Sequence, residues 1–171
     1  MKPETKYSLL ILGLSVIWKT GLLLSGQAEG LLGKYPLLPV LGFMLIGMYR
    51  GVEERRKLSH PNGMGFLDAF KPAISIALLA SLIYTLFLYV YLNYLDVDFK
   101  ARFVANRIED LKTNGSNSAD IEAWIQSTQT FPFTTAWILF TFIGLALIGF
   151  VYAVVIGRLM LKKYPISRRK V

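Results

Sequence analysis

Few residues in this chain could do chemistry. Asp68 and Lys71 stand three apart, on one face of any helix that holds them, where a carboxylate and an ammonium could share a proton. Asp96 and Asp98 follow the end of an apolar run as two near-neighbour carboxylates, and Lys19 and Tyr84 lie inside apolar runs. An ionisable group in such a run is a functional-site hypothesis by default, and a deep phenol needs a polar partner. Hydrolysis would need a nucleophile, a base and an orienting group. The chain has no cysteine and one histidine, His60, in a His-Pro-Asn-Gly turn. Thiolate nucleophiles, disulfides and most soft-metal sites are thereby removed, and only Ser–Lys or carboxylate schemes are left. No glycine-rich loop stands between a strand and a helix to cradle phosphate.

Each candidate has an ordinary explanation. Asp68 and Lys71 are expected to form an exposed i,i+3 pair, and Asp96 and Asp98 to make the solvated cap of a membrane helix. Lys19 lies five residues from the end of its run, about 7.5 Å of helix rise, so its stem is expected to snorkel outward while Trp18 anchors the interface. Tyr84 is expected to reach a partner inside the bundle. Hydroxyls near mid-run, Ser15, Thr85 and Thr141, are expected to bond their own helix backbones. No catalytic, cofactor-binding or metal-ligating residue is assigned, and no cofactor. Lys19, Asp68, Lys71, Tyr84, Asp96 and Asp98 remain as the candidate functional polar residues.

The elements that position them follow from hydrophobicity. Of 171 residues, 54% are hydrophobic, above the roughly 45–50% of soluble domains. The excess is gathered into runs at residues 7–24, 31–49, 73–95 and 133–161, each near the roughly 20 residues that a helix needs to cross about 30 Å of hydrocarbon. The fold class is therefore all-α: a polytopic membrane protein of four transmembrane helices in a single membrane domain covering residues 1–171. The second run is the least regular, carrying Pro36 and Pro39 near its start.

Charge sets the expected orientation. Thirteen of the 19 Lys and Arg fall before the first run (Lys2, Lys6), between the second and third (Arg50, Arg55, Arg56, Lys57, Lys71), and after the fourth (Arg158, Lys162, Lys163, Arg168, Arg169, Lys170). Only four acids accompany them, Glu4, Glu53, Glu54 and Asp68, whereas residues 96–131 carry four bases against six acids. This alternation places both termini and the loop 50–72 on the cytoplasmic side of a bacterial inner membrane, and residues 96–131 outside. The formal charge of +8 then faces anionic lipid, and no aromatic-interleaved basic groove suggests nucleic acid.

Finer patterning fills in the loops. The charged segment 51–65 reads as a loop with a turn at His60-Pro61-Asn62-Gly63, followed by an amphipathic segment 65–71 and a change of direction at Pro72. Ala73, Ala77 and Ser81 recur every four residues in the third helix, as Gly149, Ala153 and Gly157 do in the fourth, so those two are expected to pack closely. Tyr91 and Tyr94 read as an interface belt. In the outer loop, Phe99, Phe103, Val104, Ile108 and Leu111 make one helical stripe. A turn at 113–117 follows, and then a second helix, capped by Ser118, buries Ile121, Trp124 and Ile125. An extracytoplasmic helical hairpin between helices three and four is expected.

Four pieces carry a resemblance: Met48-Tyr49-Arg50-Gly51, Gly65-Phe66-Leu67-Asp68-Ala69-Phe70-Lys71, Tyr94-Leu95-Asp96-Val97-Asp98-Phe99, and a glycine-rich last helix ending in Lys162-Lys163. With them the chain resembles, over nearly its whole length, the domain of unknown function 4199 family of small bacterial four-helix membrane proteins. Pro72 departs from the small residue, such as glycine, that the family more often has there. The resemblance implies no activity or catalytic residue. It suggests company with a membrane glycosyltransferase acting on a polyprenyl-phosphate lipid. The expected function is a non-catalytic accessory or scaffolding subunit, whose partners are the bilayer and another membrane protein or a second copy. A small homo-oligomeric transporter or channel is the first alternative, and a lipid-directed enzyme the second.

Overall fold

A computed structural model describes residues 1–26, 37–130 and 135–164. Residues 31–36 of the second apolar run, Pro36 among them, the start of the fourth run at 133–134, and Arg168, Arg169 and Lys170 lie outside the described residues. All the elements described are helical: α1 (Pro3–Leu24), α2 (Leu37–Ser59), α3 (Phe66–Val90) with a π-helical turn (Tyr91–Leu95), α4 (Phe99–Thr113), α5 (Ser118–Thr130) and α6 (Thr135–Lys163). Three of them are long and apolar enough to cross a membrane: α1 with 22 residues, α3 with its π turn at 30, and α6 with 29.

The fourth expected crossing differs. The segment after Tyr49 is not a loop, because α2 continues through the charged stretch to Ser59. Glu, Arg and Lys are good helix formers, and the register places Gly51 and Val52 in the core while the charged side chains stay partly or fully exposed. Pro61 then disfavours helix at the residue before it, and Gly63, at a φ of 130°, completes the turn. The described apolar part of α2, residues 37–49, spans about 20 Å at 1.5 Å per residue.

Helix α3 also begins earlier than its apolar run. Its first turn is set by Asp68, whose Oδ2 accepts the Gly65 backbone N–H at 3.2 Å, the reach-back half of a capping box. Pro72 therefore lies inside the helix instead of redirecting the chain before it.

The chain divides into two compact units. Unit 1 comprises residues 1–84 and 143–171 and has one core. Ile11 comes from α1, Met44, Met48 and Val52 from α2, Met64 from the following turn, Ala69, Ala73, Ile76, Ala77 and Ala80 from α3, and Ala153, Ile156 and Met160 from α6. Small residues let the backbones approach, and four methionines fill the irregular space left between them. α1 and α2 run antiparallel, with Ile11 against Gly47 and Tyr7 against Gly51. α3 and α6 do likewise: a Cβ on Gly149 would stand 2.6 Å from that of Ala77, and one on Gly157 would stand 2.8 Å from the Phe66 ring.

Unit 2, residues 85–142, contains the end of α3, its π turn, the α4–α5 hairpin and the start of α6. The hairpin turns at Gly115, φ 78°. α5 is capped by Asn117, whose Oδ1 accepts the Asp120 N–H at 2.8 Å, one residue before the expected Ser118.

Candidate functional site

Polar side chains gather in two assemblies. The first, in unit 1, joins the start of α1 to the end of α2 and the end of α6. Lys6 Nζ donates to Glu54 Oε2 at 2.7 Å, and the Tyr7 hydroxyl donates to the same oxygen at 2.9 Å. The Lys6 hydrogen bond, then that of Tyr7, holds the Glu54 carboxyl below the usual carboxylate range. Arg55 lies 3.8 Å from Glu4, and Glu53 stands between Arg50 at 3.7 Å and Lys163 at 4.0 Å. Lys163 also donates to the Tyr49 hydroxyl at 2.9 Å. The Arg56 guanidinium lies 3.8 Å over the Tyr164 ring, and the Tyr164 carbonyl accepts the Met64 N–H at 2.9 Å. Deeper in this unit, the Ser8 hydroxyl is shared between the Glu4 carbonyl at 2.8 Å and the Ile76 carbonyl at 3.1 Å, which ties α1 to α3.

The second assembly is local to unit 2. The π turn ends where the Asp96 N–H reaches the Tyr91 carbonyl at 2.8 Å, and this turns the Asp96 carboxylate inward. Its Oδ2 accepts the Tyr91 hydroxyl at 2.9 Å, and its Oδ1 pairs with Arg102 on α4. Asp96 is 4% exposed and Tyr91 is buried. Neither is in the expected solvated or interfacial setting: a carboxylate with two charge-assisted or hydroxyl partners can be buried where an unpaired one could not.

The other expected residues are placed as follows. Asp68 caps α3 and lies 3.9 Å from His60, and it does not pair with Lys71, which is exposed. Lys19, at 9% exposure, is buried on the face of α1 that carries Ser8, Ile11 and Ser15, so it does not snorkel outward. Tyr84 is buried, and Asp98 is exposed just ahead of α4. Asp68 and Tyr84, 16 residues apart on one helix, are separated by about 24 Å of rise, so these groups do not converge on one centre. Ala73, Ala77, Ser81, Gly149, Ala153 and Gly157 are all buried inside unit 1.

Sequence patterning missed the pairings of Glu54 with Lys6 and Tyr7, and of Lys163 with Tyr49. One signal was present: Gly47 and Gly51 repeat at four residues in α2, the spacing that brings a helix backbone close to its neighbour, and it is there that α1 packs. Among the described residues, no three of His, Cys, Asp and Glu gather as a metal site.

Among the described residues, the arrangement joins helices through ion pairs and aromatic contacts. A family model, that of a protein of unknown function (DUF4199), matches residues 6–162. No curated protein and no solved structure matches the chain.

Proposed function

Taking as premise that the chain belongs to the DUF4199 family, we propose that it is a non-catalytic accessory or scaffolding subunit of a bacterial inner-membrane complex. It would cross the membrane four times, with both termini cytoplasmic. The observation that carries this reading is the use made of the polar groups. Glu4, Glu53, Glu54 and Asp96 are each engaged by a cation of the same chain and Asp68 caps α3, so these carboxylates serve the fold, while Asp98 stays exposed. The small-residue stripes of α3 and α6 are consumed inside unit 1, which leaves other surfaces for a partner. The α4–α5 hairpin is the favoured one. None of α4's residues is fully buried, and Phe103, 42% exposed, forms an aromatic pair with Trp124 at 6.5 Å.

Mild-detergent extraction from native membranes followed by affinity capture tests this. A stoichiometric membrane partner is expected, with a glycosyltransferase of polyprenyl-phosphate lipids the first to look for, and replacing Phe103 and Trp124 by serine should release it. A chain that purifies alone as a monomer would refute the reading.

A second reading, a small transporter or channel, is favoured by buried Lys19 alone. It requires that Lys19→Gln abolish a proton or ion flux in proteoliposomes that hold the inserted chain. Unchanged flux removes it.

A further inference from the structure

We infer that one end of unit 1 is a binding surface for anionic phospholipid headgroups, with Lys71, Arg158 and Lys162 as its principal contacts. The described cations of this end divide into those that meet a carboxylate, Arg56 over the Tyr164 ring, and a third set, Lys2, Lys57, Lys71, Arg158 and Lys162, with no carboxylate within ion-pair distance. Lys6, Arg50, Arg55 and Lys163 spend their charge on Glu54, Glu53 and Glu4, and Asp68 faces His60. The four acids of this end are thereby used, which leaves the third set uncompensated among the described residues.

Three of that set, Lys71, Arg158 and Lys162, end surfaces made for acyl chains. Along α6, Leu147, Val151 and Val155 form an exposed stripe at four-residue spacing, and Arg158 and Lys162 continue that stripe at three and four residues further. Along α3, Leu82 and Leu78 are exposed, and Lys71 follows seven residues nearer the helix start, on the same face. Because α3 and α6 are antiparallel, with Gly157 against Phe66, both stripes end in cations at the same end of the unit. An apolar stripe capped by an uncompensated cation matches a phospholipid whose tail lies along the helix and whose phosphate meets the ammonium or guanidinium. Arg158 adds a bidentate fork for phosphate oxygens. The inference requires the apolar helices to lie in a bilayer, and it is independent of which protein the chain assists.

The test uses the full-length chain in neutral detergent, with thermal unfolding followed after adding either dioleoylphosphatidylglycerol or dioleoylphosphatidylcholine. The anionic lipid is expected to raise the midpoint by about 5 °C more than the zwitterionic one at saturating excess. The combined variant Lys71→Gln, Arg158→Gln, Lys162→Gln should lose that difference and keep its lipid-free midpoint, since no ion pair is broken. A control, Lys100→Gln with Lys112→Gln in unit 2, should keep it. Should the triple variant fold poorly, the unaltered protein still decides: the difference between the two lipids must shrink steeply from about 0.1 M to about 1 M salt. Equal stabilisation by the two lipids, equal protection by inorganic phosphate, or a salt-independent difference would overturn the inference.

Discussion

Glu54 and Asp96 are built from the same parts, a carboxylate that accepts from one tyrosine hydroxyl and one cation, and they are used oppositely. Glu54 takes Lys6 and Tyr7, 48 and 47 residues away, and so joins two helices, while its side chain stays 32% exposed. Asp96 takes Tyr91 and Arg102, five and six residues away, and so folds one corner back on itself, with its side chain 2% exposed. The reach of an ion pair along the chain and its energetic weight are thus separate properties. Long-range pairs at a surface fix which elements meet, and exposed pairs contribute roughly 0–1 kcal/mol. A buried pair contributes little relative to an apolar replacement, but losing one partner strands a charge at about 3–5 kcal/mol.

The sharpest way to break the comparison is therefore at Arg102. Arg102→Ala should destabilise the corner around the π turn by about 3 kcal/mol, because Asp96 would be left charged and desolvated. Amide hydrogen exchange across residues 91–113 should speed up accordingly, and exchange in unit 1 should not change. Adding Asp96→Asn should restore most of the protection. If the single and double variants exchange alike, Asp96 is not carrying a buried charge. The equivalent change at the other site, Lys6→Ala, should leave exchange in α1 and α2 nearly unaltered.

A second test compares two close helix approaches in unit 1. At Gly149 the atom that an added Cβ would meet first is the Cβ of Ala77, fixed to its backbone; at Gly51 it would meet the tip of the Ile76 side chain, Cδ1, which can turn away, and the Tyr7 ring at 3.2 Å, which must shift slightly. Gly149→Ala should therefore part α3 from α6 and cost about 1–3 kcal/mol. Gly51→Ala should cost less than Gly149→Ala, because the gain in helix propensity, about 1 kcal/mol, offsets much of the rearrangement of Ile76 and Tyr7. Steric-trap or thermal unfolding in detergent would measure both. Equal losses would mean that α1, α2 and α3 pack as tightly as α3 and α6.

The contrast also explains what could be read from the sequence. Helical class, the helix pair α4–α5 and the presence of three helices long and apolar enough to cross a membrane follow from local quantities, hydrophobic runs and turn residues, and these were legible. The end of α2 was not. A run of Glu, Arg and Lys signals solvent wherever it occurs, and it is residues distant in sequence, Tyr7 and Ile76, that pack against Gly51, while Val52 joins the core of unit 1. Asp96 was misplaced for a related reason: its position at the end of an apolar run suggested solvent, and its burial depends on a π turn that no residue type announces. Lys19 was expected to snorkel because its distance from the helix end allowed it, and nothing in α1 alone shows which face its neighbours cover.

The smallest effect expected is the pH dependence of the Glu54 junction, and its sign follows from linkage. The folded chain holds the Glu54 carboxyl below its ordinary value, mainly through the Lys6 hydrogen bond and then through Tyr7. The folded state therefore binds fewer protons at this group than the unfolded chain does as pH falls through the usual carboxylate value of about 4.3. Glu54 contributes its stability above that value and loses it as pH drops through the folded one. Glu54→Gln keeps an oxygen that can accept from Tyr7 and removes the charge, so it isolates the electrostatic part. Unfolding midpoints of wild type and variant, compared from about pH 7 to about pH 3, should differ most at neutral pH and converge at the acid end. A difference that persists unchanged at acid pH would assign the effect of Glu54 to packing against Tyr7 and remove the charge from the junction between α1 and α2.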